Sequence, residues 1–106
     1  MRLSQQTRQI IRDTVREVFG AGAVVKLFGS RVNDDARGGD IDLLVEPQQG
    51  IPAAQWVAQR SLFVARIWQL LGERRIDVVL AKQSELDDRP IVQQARKQAI
   101  PLTEVK

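Results

Sequence analysis

Nine residues, Arg31 to Gly39, are all that separate Ser30 from Asp40, and this short span constrains the fold more than any other feature of the chain. Before it lie residues 23–28, Ala-Val-Val-Lys-Leu-Phe, a β-branched run stopped by Gly29. After it lie residues 40–45, Asp-Ile-Asp-Leu-Leu-Val, closed by Glu46-Pro47. Both read as strands. A parallel crossover needs a dozen or more residues, so these two strands are expected to be antiparallel neighbours. The end of the first then lies beside the start of the second. Residues 76–80, Ile-Asp-Val-Val-Leu, read as a third strand. The connection from Val45 to Ile76 is long and helical, which permits the third strand to run parallel to the second.

Helical periodicity fills the rest. Between Ser4 and Phe19, apolar residues fall at Ile10, Ile11, Val15, Val18 and Phe19, with Ser4 as a cap and Gly20 and Gly22 as stops. Ile51-Pro52 opens a second helix over residues 53–71, ended by Gly72. A third helix spans about residues 90–99, with Pro90 suited to its first turn and Asp88 a candidate cap. The tail after Pro101 is read as a short edge strand. The order αβ-loop-βαβα implies an α/β fold, a small mixed sheet with helices packed on it. With 106 residues, 43% of them apolar and 27% charged, one domain over residues 1–106 is expected.

The chain contains neither cysteine nor histidine. That removes disulfides, thiolate nucleophiles, Cys- or His-ligated metals and any imidazole base. The remaining polar tools are carboxylates, Arg and Lys, hydroxyls, amides and backbone, a set that favours hard-cation chemistry. A net charge of +3 is mild. The N-terminus runs straight into a charged amphipathic stretch without a signal-type apolar core, and no window approaches eighteen consecutive apolar residues. A cytoplasmic protein without membrane attachment is the expectation.

Asp40 and Asp42 stand two apart on a strand, so their side chains point to one face. Asp77 opens the third strand at the same end of the sheet. Three converging carboxylates repel unless a cation neutralises them, and the fitting ion here is Mg²⁺ or Mn²⁺. Such a site orients a nucleotide's phosphates and activates an attacking oxygen for in-line displacement. Gly29 allows close approach of backbone to a ligand, Ser30 can donate to a phosphate oxygen, and Arg31 can offset charge on a leaving pyrophosphate.

Gly29-Ser30, followed after nine intervening residues by Asp40-Ile41-Asp42, resembles the signature of the DNA polymerase β-like nucleotidyltransferase superfamily. The short chain resembles its minimal nucleotidyltransferase branch, from the leading helix through the last strand. The resemblance implies the nucleotidyltransferase fold, with Asp40, Asp42 and Asp77 as catalytic metal-binding carboxylates and Gly29, Ser30 and Arg31 as the nucleotide-binding element. It implies transfer of AMP from ATP to a hydroxyl, with Mg²⁺ or Mn²⁺ as cofactor. It also implies an antitoxin, paired with a HEPN-domain ribonuclease toxin whose tyrosine accepts AMP. Direct nucleic-acid binding is not expected. A non-catalytic antitoxin acting by binding alone and a small-molecule nucleotidyltransferase are the alternatives. Two departures from the pattern are Gly39, where many relatives have serine, and Val32-Asn33-Asp34-Asp35, where many have a glycine. The length leaves room for a nucleotide-handling core, so the acceptor is expected to arrive on another protein.

Two further features are read structurally. Arg8, Arg12 and Arg16 form a stripe relieved by Asp13 and Glu17. Trp56 and Trp68, twelve apart on the second helix and so read as close to the same face after roughly three turns, are expected to pack in the core. That helix is apolar nearly all round, which makes a stable partner attractive.

Overall fold

A computed structural model describes residues 4–28, 41–48, 50–83 and 88–102. Seven elements follow in order: α1 (Gln5–Phe19), β1 (Val24–Phe28), β2 (Ile41–Glu46), α2 (Ala53–Leu71), β3 (Ile76–Leu80), α3 (Pro90–Gln98) and β4 (Ile100–Pro101). The sheet order is β3-β2-β1-β4. As the short span demands, β1 and β2 are antiparallel, from Val24 opposite Glu46 to Phe28 opposite Asp42. Strand β3 runs parallel to β2, from Ile41 beside Ile76 to Val45 beside Leu80. The edge strand forms slightly earlier than expected, at Ile100–Pro101, antiparallel to β1.

Local chemistry explains the helix ends. Ser4 caps α1, its side chain accepting from the Thr7 backbone N–H at 3.0 Å. Gly20 (φ 103°, ψ 159°) ends α1 and Gly72 (φ 88°, ψ 161°) ends α2, with their N–H groups donating to the Arg16 and Trp68 carbonyls. The cap expected at Asp88 falls instead on Arg89, with no side-chain cap hydrogen bond. Pro90 takes the first helical position, and the cap must be the residue before it.

Alternation along the strands divides the core between two faces. Ile41, Leu43 and Val45 of β2 join Leu27, Val78 and Leu80 under α1 and α2, where Ile11, Val15, Phe19, Phe63 and Ile67 are buried. The Phe19 and Phe63 rings meet at 5.6 Å between centroids, in a tilted arrangement. On the other face, Phe28, Leu44 and Ala81 pack with Val92 and Ala95 of α3. Helix α3 is held there by a buried acid. Glu46 lies 3.3 Å from Lys26 Nζ and 3.0 Å from Arg96 Nη2, and Arg96 Nη2 also donates to the Lys82 carbonyl at 3.1 Å.

The tryptophans divide differently from expectation. Trp56 is half-buried against the larger core, its Nε1 donating to the Ile51 carbonyl at 2.5 Å. Trp68 is 39% exposed and donates Nε1 to the Arg74 carbonyl at 2.7 Å. Twelve residues are three and a third turns, about 120° of rotation, so the two cannot share a face. Glu17 pairs with Arg66 of α2 at 3.3 Å, joining the two helices. No described helix is long and apolar enough to cross a membrane.

Candidate functional site

Asp42 and Asp77 are Cα partners in the parallel ladder of β2 and β3. Flanking residues on both strands, Ile41, Leu43, Ile76 and Val78, turn toward α1 and α2. The two aspartates therefore turn to the opposite face, the one that α3 covers farther along. Strand spacing alone brings their backbones to about 4.8 Å. Phe28 is the partner of Asp42 on the other side, so the C-terminal end of β1 and the N-terminal ends of β2 and β3 meet here. Strand β1 ends at Phe28 and β2 begins at Ile41. That is the expected gathering of the strand ends.

Asp42 is half-buried. Asp77 is exposed, and its Oδ2 lies 3.8 Å from Arg75 Nε in an ion pair open to solvent on both sides. Such a pair is weak and readily exchanged for another cation. Gly29, Ser30, Arg31, Asp40, Gly39 and the 32–35 segment lie outside the described residues. Among the described residues no three acidic side chains form a metal-holding group. Two carboxylates side by side, in a chain whose strong metal donors are all oxygens, fit a hard divalent cation and no soft one.

The pair opens into a cavity of about 720 Å³ beside the edge of β3 that no described strand pairs. Phe28, Asp42 and Asp77 line one side and Arg60, Ser61 and Trp68 of α2 line the other. Its volume is that of a pocket for a nucleotide-sized ligand. Arg60 and Ser61 carry no sequence signal, because only tertiary packing brings a helix position seventeen residues before Asp77 to its edge. Arg75 could have been found, since a residue two before Asp77 on an extended chain shares its face.

Comparison with known proteins bears on the family and the fold. A family model described as a nucleotidyltransferase domain matches residues 8–100. The fold is similar to a solved structure of a provisionally assigned minimal nucleotidyltransferase, at a TM-score of 0.59 and 26% sequence identity, covering 92% of this chain and 90% of that one. No curated protein matches the sequence.

Proposed function

The chain belongs to the nucleotidyltransferase domain family, and on that premise we propose that it transfers AMP from ATP to a hydroxyl of a partner protein in the cytoplasm. The partner is a HEPN-domain ribonuclease toxin, the acceptor is a tyrosine, and the protein acts as its antitoxin. The observation that carries the reading is the Asp42–Asp77 pair, set in register on one face at the mouth of a nucleotide-sized cavity.

In this reading Asp40, Asp42 and Asp77 hold Mg²⁺ or Mn²⁺, while Gly29 and Ser30 hold the triphosphate. The cation, when bound, neutralises phosphate charge and orients the α-phosphate for in-line attack. Asp77, the more exposed aspartate, takes the proton of the acceptor hydroxyl as its oxygen bonds to the α-phosphorus. The bond from that phosphorus to the bridging oxygen breaks, and pyrophosphate leaves with its charge offset by Arg31.

The test is incubation of the protein with labelled ATP, Mg²⁺ and the product of the adjacent gene. Label is expected on the partner's tyrosine with wild type and absent with Asp42→Ala. Neutralisation of the partner without any label would replace this reading with binding alone.

A further inference from the structure

Of the five aromatic side chains in the protein, three phenylalanines and two tryptophans, one presents an open ring to the cavity beside Asp42 and Asp77. Phe19, Phe28 and Phe63 are buried in the core. Trp56 is half-buried, with the Arg89 guanidinium 5.2 Å from its ring centre. Trp68 lines the cavity and is 39% exposed. Its one polar atom, Nε1, is already engaged with the Arg74 carbonyl at 2.7 Å. What the side chain offers a ligand is therefore apolar ring surface and a π face. The same bond holds the ring in place.

The cavity is lined from both faces of β3. Asp42 and Asp77 stand on the face toward α3. Ile76 turns to the other face, and with Val64, Ala65 and Trp68 of α2 it forms an apolar slot. Val64 and Ala65 precede Trp68 by four and three residues, one helical turn, so they floor the slot beside the ring. Arg74, which holds the indole, is three residues before Asp77, a span of at most about 11 Å of chain. A phosphate and a ribose bridge that distance between the aspartate pair and a base.

We propose that Trp68 is the platform on which the base of the nucleoside triphosphate stacks, and that it favours a purine over a pyrimidine. The inference rests on the nucleotidyl-transfer reading for the identity of the ligand, and on the slot for its placement. An acceptor hydroxyl has to reach Asp77 on the α3 face. The slot lies on the α2 face and suits the part of a substrate that does not react. Two fused rings cover more of an indole than one ring does, so a purine gains more from stacking. On α2, the polar lining residues Arg60 and Ser61 stand eight and seven residues before Trp68, about 10 Å or more along the helix axis. The slot therefore reads ring size rather than the groups on the base edge.

Binding is tested without an acceptor, by calorimetry with ATP, GTP, UTP and inorganic tripolyphosphate, each with Mg²⁺. Wild-type protein is expected to bind ATP and GTP alike, and UTP at least about threefold more weakly. Trp68→Ala should weaken ATP binding about tenfold, bring ATP level with UTP, and leave tripolyphosphate unchanged. Trp68→Phe, which loses the bond to Arg74 and keeps a ring, should stay within about threefold of wild type for ATP. ATP should also quench the tryptophan fluorescence of wild type and not that of Trp68→Phe, which retains Trp56 alone. That readout needs no alanine variant. Unchanged ATP affinity in Trp68→Ala, an equal loss for ATP and tripolyphosphate, or quenching that persists in Trp68→Phe would overturn the inference. Loss of binding to the adjacent gene product in Trp68→Ala, with ATP unaffected, would give the ring to a partner's side chain instead. If neither ATP nor tripolyphosphate binds any of these proteins, the nucleotide reading falls and the inference with it. The expected nucleotide binding without label on the adjacent gene product would count against transfer to that acceptor, and Trp68 would keep its place.

Discussion

Asp42 and Asp77 face the same side of the sheet from adjacent parallel strands, two carboxylates brought about one strand spacing apart by the register of the backbone ladder. Like charges at that separation destabilise a sheet by a few tenths of a kcal/mol. Asp77→Asn should therefore leave the metal-free protein as stable as wild type or slightly more so. Mg²⁺ or Mn²⁺ binds the folded state and should raise the wild-type melting temperature in a concentration-dependent way. The same titration on Asp77→Asn should give a much smaller rise. Thermal melts of the two proteins with and without cation check both halves. An equal rise in both would remove Asp77 from the cation site.

Transfer itself should respond more sharply than stability. Asn replaces Asp with nearly the same shape but cannot neutralise a cation or accept a proton. Asp42→Asn and Asp77→Asn are each expected to slow AMP transfer by about 10²-fold or more, with unchanged circular dichroism. Asp42 is half-buried between Phe28 and Asp77, so its loss should not be relieved by raising the cation concentration. Initial rates across a Mg²⁺ series give the comparison.

Glu46 lies four residues from Asp42 on the same face of β2, and it ties Lys26 of β1 and Arg96 of α3 to the sheet. Removing it leaves two cations facing each other, both about one-third exposed and so partly relieved by water. Glu46→Ala is expected to cost about 2 kcal/mol, less than the loss of a fully buried partner. Glu46→Gln keeps an acceptor for Arg96 and should cost less. Urea unfolding of the three proteins measures the order. Equal stability of Ala and wild type would show that the Glu46 ion pairs add nothing to what holds α3.

Much of this architecture follows from local chemistry that a sequence carries openly. The nine residues between Ser30 and Asp40 dictate antiparallel β1 and β2, and the helical connection permits parallel β3. Alternation then places Asp42 and Asp77 on one face. Other features depend on what lies across the fold. Trp56 and Trp68 part because twelve residues turn a helix about 120° beyond three full turns, and Trp68 stands over β3, the outermost of the described strands. Arg60 reaches the cavity only because α2 crosses beside that strand. Glu46 reads as a strand-closing acid before Pro47, and only the approach of Arg96 from fifty residues away makes it a buried anchor.

The two helix-ending glycines offer a test of backbone against packing. Gly20 and Gly72 combine a positive φ with ψ near 160°, a region that essentially only glycine enters. A Cβ at either position would meet nothing within 4 Å, so any cost of substitution is conformational. Asparagine commonly replaces glycine where a helix ends in the left-handed helical region. That remedy does not reach this region. Gly72→Ala and Gly72→Asn are both expected to destabilise by about 1–3 kcal/mol, with no advantage to Asn. Gly72 also sets the turn in which Trp68 holds the Arg74 carbonyl, one residue before Arg75 and three before Asp77. The Gly72 variants should therefore weaken cation-dependent stabilisation as well, whereas Gly20→Ala, at the far end of the sheet, should lower stability and leave that increment intact. Urea unfolding with and without Mg²⁺ separates the two glycines. Full stability of Gly72→Asn would show that the turn can relax into the ordinary left-handed form.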